Sequence, residues 1–353
     1  MANRYDFAWL REPLTKDDTW ALGGERIVDW LARSTVPKAR ESRRFLNFNL
    51  SKLPASWRES LCHMLETRWK SAFFELVVAR VLQTVGATIK VEVETASGTK
   101  PDFLARFGDY GFVVEATSPD SLAEFEDNQR RVGPLETIIE QAAPAGWSIL
   151  VIALPDIGPS DSKREFKHVV ARLLELPPPD NDSEHRDIEE EFHDGMIRLL
   201  LVPKGADYPT IAGGCVFSDK SNAVPKIRRA VQGKRPQLRS SDYPGFVAID
   251  ARFGATFNDF DHALFGDSNG GLDAEFIGRG DREPVCAGVL AFLEVGFTCR
   301  EEPVLYMHPR FSGRLPTELA VFERRFVNPD GQIETVPASK RILEALCPVD
   351  RSV

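Results

Sequence analysis

The sequence predicts a mixed α/β protein, a central sheet flanked by helices with additional strands toward the C-terminus. Three observations carry this expectation. A long apolar segment with helical spacing comes before a cluster of short strand-like runs. After that cluster, helical and strand-like segments alternate. The runs are punctuated by Gly, Pro and acidic turn residues rather than by internal repeats. At 353 residues the chain can form two domains or one large domain with insertions. The expected division is an N-terminal helical or irregular region over 1–60 and an α/β core over 61–255. The core carries an acidic insertion near 177–194. Residues 256–353 form a C-terminal extension, packed on the core or standing as a separate unit.

From about Trp57 to Val85 the chain reads as helix, because Phe74, Val77, Val78, Val81 and Leu82 share one face and Gly86 supplies a stop. Three strand candidates follow. "ATIKVEVE" alternates, "DFLARF" is short, and "GFVVEAT" comes after the turn "GDYG". A helix is expected from about Ser121 to Ala143, capped by Asp120 or Ser121, with Glu124 completing a capping box begun by Ser121. "WSILVIAL" has the length of a buried strand. "SDSKREFKHVVARLLEL" places Phe166, Val169, Val170, Leu173 and Leu174 for burial on one helix. The prolines and acids of "PPPDNDSEHRDIEEEFHDG" suggest a surface connector. Further strands are expected at "MIRLLLVPK", "GFVAIDA", "VCAGVLAFLEVGF" and "PVLYMHP", and a short helix at "DFDHALFG". The basic segment "SNAVPKIRRAVQGKRPQLRSSDYP" reads as part helix, whereas "RESRRFLNFNL" near the N-terminus has no assigned structure.

Composition narrows the function classes. Forty-four basic and 53 acidic residues give a net charge of −9, which argues against a surface that is basic throughout but allows a local basic groove. No stretch has the length and apolarity of a membrane span, and the charged N-terminus does not resemble a signal peptide. The five cysteines are scattered and form no CxxC pair, so a cytoplasmic, reducing location is expected. There is no GxGxxG after a first strand, no P-loop, no HExxH and no Ser-His-Asp spacing.

The chemistry-bearing candidates are acids. Asp102 and Glu115 lie on two strands joined by a tight turn, so their carboxylates can come side by side. Two such groups repel and raise each other's pKa unless a cation joins them. Magnesium commonly takes one or two carboxylates and completes its shell with water and phosphate oxygens. The small residues after Glu115, "ATSP", leave room for a ligand. The plainer alternative has Asp102 capping a turn and Glu115 paired with an arginine such as Arg106. Glu75, in the mostly apolar "AFFELVVARV", is costly to bury alone. It either serves the same site or pairs with Arg80 or Lys70.

A helix glutamate, then Pro101-Asp102, then Glu115 closing the next strand resemble the PD-(D/E)xK nuclease superfamily. More narrowly, "FFELVVARVLQTVGA", "KPDFLARF" and "YGFVVEATSP" resemble uncharacterised bacterial members, and the similarity extends through "PGFVAIDA", "HALFG", "VCAGVLAFLEV" and "LYMHP" to cover about residues 65–310. The resemblance implies a restriction-endonuclease-like core and cleavage of nucleic acid that depends on Mg2+ or Mn2+, in defence or repair. It makes Asp102 and Glu115 the metal ligands and Glu75 the helix acid. The motif's lysine, two residues after the second acid, is Thr117 here. A relocated basic or polar residue is expected on the next helix, among Gln129, Arg130 and Arg131 with Arg130 and Gln129 ranked first, and after them at Lys100. The alternative is an inactive nuclease fold that binds nucleic acid or acts as a protein-interaction subunit of a multi-component system.

Lys226, Arg228, Arg229, Lys234 and Arg235, followed by Arg239, form a cationic run with no acid among them, and are the expected nucleic-acid contacts, with DNA favoured over RNA. Lys38, Arg40, Arg43 and Arg44 make a second basic patch.

Overall fold

In a computed structural model of the chain, the residues described are 10, 13–14, 26–91, 98, 100–119, 134–155, 161–181, 184–193, 195–204, 211–217, 223–239, 241–251, 255–266, 276, 284–293, 302–313 and 315–346. The chain divides into two units. One comprises Met1–Glu12, Glu41–Pro119 and Ala223–Val353, and the other Pro13–Arg40 and Asp120–Asn222. These boundaries differ from the expected ones. The region after residue 256 continues the sheet of the first unit, and the acidic segment belongs to the second.

The first unit is built on a mixed eight-stranded sheet. Strands β1 (Thr88–Val91), β2 (Phe103–Phe107) and β3 (Tyr110–Thr117) form an antiparallel meander. The β2–β3 loop is the expected "GDYG" turn, with Gly108 at φ +57°, a conformation that suits glycine. The remaining strands of this sheet follow Asp120–Asn222 in sequence. Strand β8 (Gly245–Asp250) pairs parallel to β3, and β9 (Cys286–Phe292) parallel to β8. Beyond them come β10 (Val304–Met307), β11 (Glu323–Val327) and β12 (Ile333–Val336). Arg325 of β11 bonds Asp261 at 2.7 Å, tying the last strands to helix α8 (Phe257–Phe265).

Helices cover both faces of this sheet. The segment expected as one helix is two, α3 (Ala55–Thr67) and α4 (Trp69–Thr84), because Arg68 at φ −140°, ψ 55° leaves helical geometry between them. Their apolar faces meet different neighbours: Trp57 packs edge-on against Phe103, and Phe74 against Phe292. All five residues expected on the buried face, from Phe74 to Leu82, are buried. Gly86, at φ +102°, ends α4, and the Ala87 N–H returns to the Leu82 carbonyl at 2.9 Å in the manner of a Schellman motif.

Helix α7 (Ala223–Arg239) takes the other face, where Ile227, Val231 and Leu238 join Val113, Leu104, Val247 and Ile249 in one core. Gly245 lets it approach closely, since a Cβ there would meet Leu238 Cδ2 at 2.7 Å. The "RESRRFLNFNL" patch is helical, within α2 (Pro37–Ser51). Its Arg43 is buried, so that residue cannot face a solvent groove, whereas Arg40 and Arg44 are exposed.

The second unit has helix α1 (Ile27–Arg33) and a four-stranded sheet in the order β5-β6-β4-β7. Its strands are β4 (Trp147–Leu154), β5 (Arg186–Phe192), β6 (Gly195–Pro203) and β7 (Ile211–Phe217). Helix α5 (residues 134–142) and helix α6 (Asp161–Leu173) pack on it through Leu135, Ile139, Phe166 and Val170. The N-terminal part of the helix expected at 121–143 lies outside the described residues. The acidic connector is a strand over Arg186–Phe192, which corrects the reading from composition. Asp187, Glu189 and Glu191 alternate outward on an edge strand, where Arg198 of β6 bonds Asp187 at 3.0 Å and Glu189 at 2.8 Å. Charge on an edge also discourages pairing with another chain. Among the described residues no helix is long and apolar enough to cross a membrane.

Gly245→Ala should destabilise the protein by about 1–3 kcal/mol, the usual cost of overpacking. Urea unfolding should show the change as a lower midpoint with an unchanged slope.

Candidate functional site

Antiparallel register builds the acid pair. Phe103 of β2 faces Val114 of β3. One step further, just outside the ladder, Asp102 comes opposite Glu115. Directly opposed residues share a face of the sheet, here the face of Leu104 and Val113 that α7 covers. The Asp102 Oδ2 accepts the Ala116 N–H at 2.8 Å, which holds the carboxylate against the end of β3. Glu115 is only 2% exposed. Thr117 follows on the same face by strand alternation and is half-buried.

The third member arrives from α7. Lys234 Nζ donates to Glu115 Oε2 at 2.8 Å across 119 residues of sequence. The expected alternative partner, Arg106, instead donates to the Tyr243 hydroxyl at 2.8 Å. Lys234 stands in the buried stripe of its helix, between Val231 and Leu238. It is the cation of an otherwise apolar row, Ile227–Val231–Lys234–Leu238. That placement is the sequence signal for its role. The charge run marks Lys234 as a nucleic-acid contact, whereas the structure turns it inward onto Glu115, since a lysine in a buried stripe needs a buried acid.

Four charged groups act on one another here. Burial is the largest influence on Glu115 and, with Asp102, raises its pKa against the opposing pull of Lys234 and of the Asp102 backbone. Burial alone would depress the Lys234 ammonium, but Asp102, Glu115 and Glu75 raise it above its ordinary value. Glu75, half-buried on α4, therefore reaches the same site electrostatically. Arg80, one of its expected partners, donates to Asn49 and Gln83.

Glu115 Oε1 is buried and accepts no hydrogen bond. An orphaned carboxylate oxygen beside a second carboxylate has the chemistry of a cation ligand. Among the described residues no group of three or more His, Cys, Asp or Glu side chains is placed to hold a metal ion. A site made of the expected pair alone, Asp102 and Glu115, would leave most of a magnesium shell to water and phosphate oxygens.

The remaining candidates are distributed as follows. Gln129 and Arg130 lie outside the described residues. Arg228 donates to the Ala263 and His262 carbonyls of α8, each at 3.2 Å, and Arg229 to the Pro225 carbonyl at 3.4 Å. Lys226 and Arg235 are half-buried on α7.

Lys234→Met should destabilise the fold by about 3–5 kcal/mol, because it strands a buried carboxylate, and Lys234→Met/Glu115→Leu should recover much of the loss in chemical denaturation. A second outcome concerns pH. The folded-state pKa of Glu115 is raised above 4.5, so the folded protein holds this proton more tightly than the unfolded chain. Its contribution to stability is then lost as pH rises from about 4.5 through the raised value. Thermal unfolding across a pH series should show this decline in the wild type and a flatter profile in Glu115→Gln. Compared with known proteins, the chain matches no family model, no curated protein and no solved structure.

Proposed function

We propose that the chain is a metal-dependent nuclease with a restriction-endonuclease-like core of the PD-(D/E)xK kind, in which the motif's basic residue is supplied by helix α7. The observation that carries this reading is the Lys234–Glu115 contact at 2.8 Å, where a strand motif would place a lysine at Thr117. In this reading Asp102 and Glu115 hold magnesium or manganese, with Glu115 using the oxygen that Lys234 leaves open. A bound divalent cation would polarise the scissile phosphate and lower the pKa of an attacking water. Lys234 orients Glu115 and supplies fixed positive charge where negative charge develops on the phosphoryl oxygens. Thr117 donates a hydrogen bond to a phosphate oxygen. Glu75 keeps the ammonium charged and accepts from a water of the shell. The substrate is nucleic acid, with DNA favoured over RNA.

The competing reading is a binding-only protein in which Lys234 and Glu115 form a structural ion pair. It is favoured by the same contact, since the pair neutralises a buried acid without any ligand.

Incubation of purified protein with plasmid DNA and with RNA, with Mg2+, Mn2+ or EDTA, separates the two. The nuclease reading expects metal-dependent nicking or degradation that Asp102→Ala, Glu115→Ala and Lys234→Ala each lower by about a hundredfold or more, the usual cost of removing a transition-state contact. Equal activity in the wild type and the Asp102→Ala/Glu115→Ala protein would rule this site out.

A further inference from the structure

We propose that Lys90 and Arg106, on the open part of the sheet face that carries Asp102 and Glu115, bind the phosphate backbone of a nucleic acid and lead it to the Glu115–Lys234 centre. The inference rests on the nucleic-acid reading of that centre and names the surface that holds its substrate.

The cations expected for this task lie on α7, and the fold employs two of them elsewhere. Lys234 is turned onto Glu115, and Arg228 donates to the carbonyls at the C-terminal end of α8. The strands of the β1–β3 meander carry two basic residues, Lys90 and Arg106. Register puts both on the site's own face. Lys90 is opposite Leu104, which shares the α7 side of the sheet with Val113. Arg106 lies two residues beyond Leu104 on β2, so alternation turns it to the same side. The step from Asp102 to Arg106 is about 13 Å of strand, the axial length of about four nucleotides of one DNA strand. Lys90 stands diagonally between the two, on the neighbouring strand.

Both side chains are open to solvent. Leu104, Val113 and Glu115 are buried on this face, whereas Thr88, Lys90 and Arg106 are exposed. Arg106 is also held in place. Its Nη2 donates to the Tyr243 hydroxyl at 2.8 Å. That acceptor is neutral, so the guanidinium keeps its charge uncompensated and its remaining N–H groups can meet a ligand. Gly111, opposite Arg106 in register, makes room for the tyrosine ring, since a Cβ there would meet Tyr243 Cε1 at 2.6 Å. Neither Lys90 nor Arg106 forms an ion pair among the described residues. In a chain of net charge −9, two cations without acid partners on the face of the acid pair give the local positive charge that a polyanion needs. The planar fork of Arg106 suits two phosphate oxygens, and Lys90 adds a mobile point charge. A strand bound here would run along β2 toward Asp102.

The test is binding without turnover. Fluorescence anisotropy of labelled single- and double-stranded oligonucleotides is measured in EDTA across a salt series. The wild type is compared with Lys90→Glu, Arg106→Glu, Tyr243→Phe and Lys340→Glu, the last at an exposed lysine beyond β12, the strand at the other end of the sheet. The surface predicts about tenfold or more weaker binding for Lys90→Glu and for Arg106→Glu, each with a salt slope reduced by about one. It predicts a smaller loss for Tyr243→Phe, which releases the guanidinium but keeps its charge, and little change for Lys340→Glu. Lys90 is exposed on the edge strand β1, so its variant tests the proposal even if Arg106→Glu fails to fold. Unaltered affinity in folded Lys90→Glu, an equal loss in Lys340→Glu, or a wild type that binds neither oligonucleotide would overturn the surface. Binding that depends on Lys90 and Arg106 with no metal-dependent cleavage would support it while removing the nuclease reading. Metal-dependent cleavage with unaltered affinity in both variants would do the reverse.

Discussion

An ionised carboxyl group that is 2% exposed does not persist in a protein core without a cation, and much of the first unit is arranged to bring one to Glu115. The cation is Lys234, held at 2.8 Å by a helix whose neighbouring side chains bury themselves on the same sheet face. The pairing is one-sided. Lys234 engages Oε2, and Oε1 remains buried without a hydrogen bond. Asp102 stands opposite in register and adds negative charge. A purely structural pair is better served by satisfying both oxygens, since a buried acceptor left unmade costs about 1–3 kcal/mol. In the nuclease reading proposed above, the Oε1 oxygen is where a divalent cation would bind.

Topology explains how residues 119 positions apart come together. Strand β3 and strand β8 are parallel neighbours, and parallel strands need a crossover connection. Here α7 is the last part of that crossover, and residues Asp120–Asn222, belonging to the second unit, occupy the rest of it. The second unit thus separates the acids from the lysine in sequence while leaving them in one sheet–helix layer of the first. Such an insertion moves a basic residue out of any short motif without disturbing the chemistry that the strand and the helix can share.

Local pattern was enough to read most of this fold. The apolar face of α4, the Gly86 stop, the hairpin turn at Gly108 and the strands at Phe103, Tyr110, Trp147, Gly245 and Cys286 all have the expected type. What escaped reading was set by tertiary context. Asp187, Glu189 and Glu191 are the solvent row of an edge strand, and composition alone cannot tell that from a connector. The basic N-terminal patch is a helix carrying Phe45, Leu46 and Leu50 into a core, with Arg43 buried. The acid pair was legible because register links Asp102 to Glu115 across a tight turn. The lysine was visible as charge but not as a partner. Its meaning lay in a stripe, Ile227–Val231–Lys234–Leu238, whose facing strand is distant in sequence.

The most direct measurement is anomalous diffraction from crystals soaked in Mn2+. The account predicts a peak between Asp102 and Glu115 Oε1, with Lys234 still within hydrogen-bond distance of Oε2. Ordered manganese elsewhere, with both Glu115 oxygens enclosed by protein groups alone, would contradict it.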